Sequence, residues 1–180
     1  MIKKGRLIKT LQALIRIHSE NPTGTEKEIA AWVAAYLARL GIPSRRHVFL
    51  KDRPNVVARI QGAAGGAARK SLLITPHLDT VPAGTGWRHD PFAGTISGGR
   101  VYGLGATDCK CNLAVALETI HSLCEDKVSL GYDLVFAATA DEESGSTCGL
   151  IPLIRKGLLR VDAAVVLDAD DFEVIVAQKG

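Results

Sequence analysis

Three uninterrupted apolar runs constrain the fold most: Leu72-Leu73-Ile74, Leu134-Val135-Phe136-Ala137 and Ala163-Ala164-Val165-Val166-Leu167. A strand with one wet face alternates apolar and polar side chains, whereas a strand covered on both faces reads as a continuous apolar run. The stretches around these runs have helical spacing. Leu7, Leu11, Leu14 and Ile15 mark a helix over 4–18, which Asn21-Pro22 breaks. Thr25-Glu26-Lys27-Glu28 is a capping-box pattern that opens a second helix. Its stripe is Ile29, Trp32, Val33, Tyr36, Leu37 and Leu40, and Gly41 ends it. Leu113, Leu117, Ile120 and Cys124 place a third helix over 110–124, and a fourth falls at 146–157. Further strands are expected at 45–50, 55–60 and 172–178, with a Gly/Ala-rich loop from Gln61 to Arg69 and turns through 83–105. Strands alternating with helices predict a three-layer α/β domain with a mostly parallel, mixed central sheet.

Composition excludes several classes. The 180 residues, 47% hydrophobic and 23% charged, suit one globular domain. No apolar run reaches the ~18 residues that span a bilayer. Arg16 and His18 interrupt what would be the apolar part of an export signal, so a cytoplasmic protein with four reduced cysteines is expected. Residues 1–75 carry 14 Lys/Arg against 4 Asp/Glu, and residues 76–180 carry 8 against 15. The basic residues of the first half are spread over several elements, and aromatics are 5%, so no stacking platform for nucleic acid is visible. That half reads as a solvated basic surface, with neither nucleic acid nor membrane as a partner.

The acidic half is more informative. In a parallel α/β sheet, ligands bind outside the carboxyl ends of the strands. The run at 72–74 ends in Pro76-His77-Leu78-Asp79, the run at 134–137 in Asp141-Glu142-Glu143, and the run at 163–167 in Asp168, with Asp170 and Asp171 beyond. Asp108 stands just before the third helix, after Gly103 and Gly105. One imidazole and several carboxylates thus come from four segments to one sheet edge. Without a cation they would repel and lose hydration, at a cost of several kcal/mol per buried ion. A divalent metal removes that cost, and histidine with carboxylates suits zinc, manganese or cobalt.

The order of these residues resembles a known family. His77-Leu-Asp79-Thr-Val-Pro82, Trp87 with Asp90-Pro91-Phe92, Gly103-Leu-Gly105-Ala-Thr-Asp108-Cys-Lys110 and Ala140-Asp-Glu142-Glu143-Ser-Gly145 are similar to successive motifs of the co-catalytic zinc amidohydrolases. That family includes acetylornithine deacetylase, succinyl-diaminopimelate desuccinylase, aminoacylase and glutamate carboxypeptidase. Val165 to Asp168 followed by Ala177 to Gly180 resembles its next segment. The resemblance implies a zinc-dependent exopeptidase-like fold and two divalent ions, most simply zinc, with cobalt or manganese as substitutes. It implies that His77 and Asp168 ligate one ion, Glu143 the other, and that Asp108 bridges them. Asp79 would orient His77, and Glu142 would be the general base of amide hydrolysis on an N-acyl amino acid or small peptide. It also implies a cis peptide bond between Asp108 and Cys109, and a homodimer for the full-length enzyme.

The departures set further expectations. Leu104 stands where the family has arginine, Cys111-Asn112 where it has Gly-Gly, and Asp168 where many members have glutamate. Cys109 and Cys111 flank the bridging position without a second cysteine pair, and read as small, partly buried thiols. Family members continue into a lid or dimerisation domain and return with one more metal-binding histidine. The 180 residues are therefore expected to be the N-terminal portion of the catalytic domain and to hold at most one ion tightly. The alternative reading is a catalytically inactive fragment that binds metal or a partner chain.

Overall fold

The computed structural model describes residues 1–63, 70–168 and 175. The elements in chain order are α1 (Lys4–Ile15), α2 (Lys27–Arg39), β1 (Ser44–Leu50), β2 (Arg53–Ile60), β3 (Ser71–Thr75), β4 (Thr95–Ser97), β5 (Arg100–Tyr102), α3 (Lys110–Glu125), β6 (Asp133–Ala138), α4 (Leu150–Arg155) and β7 (Ala163–Val166). Five strands form the main sheet in the order β1-β2-β6-β3-β7. β6, β3 and β7 are parallel to one another, and β2 and β1 run antiparallel at the other side. The mixed α/β architecture is the expected one.

The pleat of β6 explains its unbroken apolar run. Leu134, Phe136 and Ala138 join α2 and α3 in the larger core cluster, with Leu14 of α1 and Val56 and Ala58 of β2. Val135 and Ala137 point the other way and pack with Leu73, Leu153 and Leu159. All six residues of β6 are buried. β7 departs from this. Its apolar run leads one to expect cover on both faces, yet all four residues are exposed, with Val166 60% accessible. It pairs with β3 alone among the described residues.

Other expectations need correction. The capping box at the start of α2 does not close. The residue before the helix is Glu26, whose side chain turns inward to Arg53, while the Thr25 hydroxyl accepts the Lys27 N–H at 3.0 Å. The turn region 83–105 holds a two-stranded hairpin, β4-β5, around Gly98-Gly99, both with positive φ. α4 is shorter than expected, starting only at Leu150. The proposed strand at 172–178 and most of the loop at 61–69 lie outside the described residues. No described helix is long and apolar enough to cross a membrane.

Several basic residues of the first half pair with carboxylates of the second. Arg59 meets Asp133 at 2.8 Å and Lys70 meets Asp162 at 2.9 Å. One of these pairs, with its carboxylate buried, joins α1 to α3. Arg6 grips Glu118 through two nitrogens at 2.6 and 2.8 Å, and the Lys3 N–H and the Ser122 hydroxyl also donate to that carboxylate. Glu118 is 1% exposed. Burial would raise its pKa, but Arg6, the Lys3 N–H and Ser122 hold it below the ordinary value of 4.5. A carboxylate with a lowered folded pKa contributes stability that is complete above its unfolded value and is lost as pH falls through the folded one. Arg6→Ala leaves a buried carboxylate short of its cation and should cost about 2 kcal/mol, somewhat below the range for a fully buried pair. Urea denaturation should show this loss at pH 7. The difference between wild type and variant should shrink steadily below pH 4.5.

Candidate metal centre

The parallel register places three strand ends side by side. Ile74 of β3 lies opposite Phe136 of β6, and Thr75 lies opposite Val166 of β7. Beyond the strands, His77 still bridges to Thr139, with the Leu78 N–H donating to the Thr139 carbonyl at 2.7 Å. His77, the 141–143 segment and Asp168 therefore emerge at one edge. Asp108 reaches it from the turn before α3. Gly105 makes that turn possible: it adopts φ +75°, and a Cβ there would sit 2.8 Å from Thr80 and 3.1 Å from Lys110. The Asp108–Cys109 peptide bond is cis, as the resemblance implied.

His77 is the hub. Its Nε2 lies 2.9 Å from Asp108 Oδ1 and 3.5 Å from Asp168 Oδ1. Its Nδ1 lies 3.0 Å from the Asp79 carbonyl oxygen and 3.4 Å from Asp79 Oδ1. An Nδ1–H directed at Asp79 leaves the Nε2 lone pair for the centre. Burial alone would lower the imidazole's pKa, but Asp79 and Cys109 reverse this, and it is pushed up to about 12. These neighbours favour a positive charge here, which a second ring proton supplies at neutral pH and which a metal ion at Nε2 would replace. His77, Asp108, Cys109 and Asp168 each offer one donor atom, and these four atoms lie within 4.8 Å of one another. A buried imidazole facing two carboxylates at this spacing fits a divalent ion.

Asp79 is fully buried and serves as the anchor of the edge. It accepts from Asn21 Nδ2 at 2.8 Å and from the backbone N–H groups of Glu142 and Glu143, each at 3.1 Å. Burial would raise its pKa, yet His77, Asn21 and the Glu142 N–H lower it. The backbone of Glu142 and Glu143 is thereby fixed beside His77. Neither carboxylate belongs to the four-donor group. For both, loss of hydration raises the carboxyl pKa, and Asp108 and Asp79 raise it further, against the pull of His77.

Several contributors were not visible as such in the sequence. Asn21, which reads as half of a helix breaker, donates to Asp79 and, at 3.3 Å, to Asp141. Asp141 has φ +66° and is held by Arg53, by the Cys148 N–H and by the Thr147 hydroxyl. The Asp141 N–H in turn donates to Glu26. An Asn before Pro and a run of three acids are the only sequence signals of this frame. Replacing an outer hydrogen-bonding partner of a metal-bound histidine commonly costs ten- to a hundredfold in affinity. Asp79→Asn should therefore weaken zinc binding by roughly ten- to a hundredfold, read by competition with a chromophoric chelator.

Comparison with known proteins agrees with this geometry. Residues 73–178 match Peptidase family M20/M25/M40. A succinyl-diaminopimelate desuccinylase of Methylobacterium sp. (strain 4-46) is 37% identical over 150 residues, which are 79% of this chain and 36% of that protein. A cysteinylglycine-S-conjugate dipeptidase of Corynebacterium striatum is 32% identical over 180 residues, 96% of this chain and 38% of the relative. Among solved structures, the M20 family metallo-carboxypeptidase Sso-CP2 of Sulfolobus solfataricus superposes with a TM-score of 0.78 at 30% identity, over 91% of this chain and 37% of that one. The chain thus spans well under half the length of these relatives. The match covers the segment that carries His77, Asp79, Asp108, Glu142, Glu143 and Asp168, and the chain belongs to Peptidase family M20/M25/M40.

Proposed function

We propose that this chain is the N-terminal, metal-binding portion of the catalytic domain of a hydrolase that cleaves the amide bond of an N-acyl amino acid or small peptide. The observation that carries the reading is the meeting of His77 Nε2, Asp108 and Asp168 at the carboxyl ends of β3 and β7. The named relatives, a desuccinylase and a dipeptidase, both act on such bonds. They differ in substrate, which fits a shared hydrolytic centre with substrate-gripping groups elsewhere.

In this reading His77, Asp108 and Asp168 hold one divalent ion, and Asp108 and Glu143 hold a second. Zinc suits the donor set best, and cobalt or manganese can replace it. When bound, such ions act as Lewis acids on the amide carbonyl and make water more acidic at neutral pH. The remaining work is done by side chains. Glu142 takes the proton of the attacking water and passes it to the leaving nitrogen. Its raised pKa suits that shuttle, since a base works best when its pKa approaches the working pH. Asp79 keeps the His77 ring turned towards the centre and fixes the backbone of both glutamates.

Within residues 1–180 the second site has two carboxylates, fewer than the three or four protein ligands zinc normally takes. Calorimetric titration of the metal-stripped chain should therefore show one tight zinc equivalent. Asp108→Ala should abolish it, and Glu142→Ala should leave it unchanged. In the protein carrying its remaining domains, Glu142→Ala should lower kcat by roughly a hundredfold or more while metal content stays constant. Near wild-type turnover in that variant would remove Glu142 as the base. Failure of the wild-type chain to bind any zinc would overturn the metal-hydrolase reading.

A further inference from the structure

The four cysteines have different surroundings. Cys148 packs beside Asn55, which donates to its carbonyl oxygen, and Cys124 lies near the end of α3. The Cys111 thiol donates to the Thr107 carbonyl at 2.7 Å. Cys109 alone among them belongs to the donor group of His77, Asp108 and Asp168. It is 1% exposed, and its Sγ donates to the carbonyl of Leu167, the residue before Asp168, at 3.1 Å. The sulfur therefore sits between the turn that carries Asp108 and the strand end that carries Asp168.

We infer that Cys109 is itself a metal ligand, completing a four-donor site of His77, Asp108, Cys109 and Asp168 for a borderline or soft divalent ion such as zinc, cobalt or cadmium. This rests on the reading of the strand ends as a metal centre. The distances permit it. Zinc bonds of about 2.0–2.3 Å put neighbouring donors about 3.5 Å apart, and the four atoms lie within 4.8 Å of one another. The chemistry balances simply. A sulfur lone pair is donated to the ion, the thiol proton leaves to solvent, and the Leu167 carbonyl loses its donor. The ion's two positive charges then face three anionic ligands.

One consequence separates this site from one built of His77 and carboxylates alone: sulfur favours zinc, cobalt and cadmium over manganese and magnesium, which prefer oxygen.

Cobalt binding to the metal-stripped chain tests this directly, because a thiolate on Co(II) gives an intense near-ultraviolet charge-transfer band that oxygen and nitrogen ligands do not. The wild-type chain should show that band together with the weaker visible bands of bound cobalt. Cys109→Ser should lose the near-ultraviolet band and keep the visible ones, and Cys111→Ser should keep both. The triple variant Cys111→Ser/Cys124→Ser/Cys148→Ser leaves Cys109 as the one thiol and should also keep both, so the test stands even if Cys109→Ser folds poorly. Cys109→Ser should weaken cadmium binding at least tenfold and change manganese binding less than twofold. Visible bands in the wild type without the charge-transfer band would overturn the cysteine ligand and leave the metal centre intact. Loss of the band on replacing another cysteine would also overturn it. Absence of any cobalt binding would overturn the metal centre and the inference with it.

Discussion

The carboxylate of Asp79 is the fixed point of the site. It is fully buried, and an unpartnered ion there would be strongly destabilising. Donors from three separate segments make it tolerable: Asn21 from the loop after α1, His77 from the end of β3, and the Glu142 and Glu143 N–H groups from the segment after β6. Hydrogen bonds to a charged acceptor are roughly twice as strong as neutral ones, and they set direction as well as energy. One side chain thus determines the position of the histidine and of the backbone of both glutamates. The parallel pairing of β3 and β6 brings these donors within reach, so the sheet register and the site geometry are one constraint.

The frame behind Asp79 repeats this solution with a second buried carboxylate. Asp141, in a left-handed conformation that non-glycine residues seldom adopt, is gripped by Arg53 at 3.1 Å, by Asn21 and by the 147–148 backbone and hydroxyl. Arg53 also pairs with Glu26, which in turn accepts the Asp141 N–H. Asn55 completes the set by accepting the Ala140 N–H and donating to the Cys148 carbonyl. These are strand β2, the start of α2 and the loop after β6, all joined by side chains. The strained backbone at Asp141 persists because its surroundings over-determine it. The result is that Glu142 and Glu143 follow a residue that cannot turn away.

Much of this was legible in the sequence because it rests on local pattern. The apolar runs at 72–74 and 134–137 identified strands covered on both faces, and the charged residues that end them identified the edge where chemistry would sit. What escaped depends on partners distant in the chain. The antiparallel pairing of β2 with β6 needs residues about 80 positions apart and has no local signature. The capping-box letters at Thr25–Glu28 were outweighed by a long-range ion pair, since Glu26 gains more from Arg53 and the Asp141 N–H than from a helix end. The run at 163–167 calls for cover on both faces, and among the described residues β7 has only β3 beside it. Cys109 reads as a small, partly buried thiol and is indeed buried, but nothing in a cysteine letter tells that its sulfur lies within 4.8 Å of the His77, Asp108 and Asp168 donor atoms.

The distribution of cations around the edge bears on what the centre can bind. Lys110 follows Asp108 by two residues, is 1% exposed, and has its pKa lowered to about 8 by burial, against the pull of Glu20. An ammonium so placed could neutralise the strand-end carboxylates and compete with a divalent ion for their oxygens. Instead its Nζ donates to the Ile17 carbonyl at 2.7 Å, in the exit segment of α1. That segment is stitched to the site by two more bonds, from the Thr80 N–H to the Ser19 carbonyl and from the Asn21 N–H to the Thr80 carbonyl. Arg53 is likewise committed to Glu26 and Asp141. Both cations are spent on the scaffold that positions the strand-end residues. Asp108 and Asp168 therefore meet an imidazole and a thiol, and a doubly charged ion is the natural neutraliser of what remains.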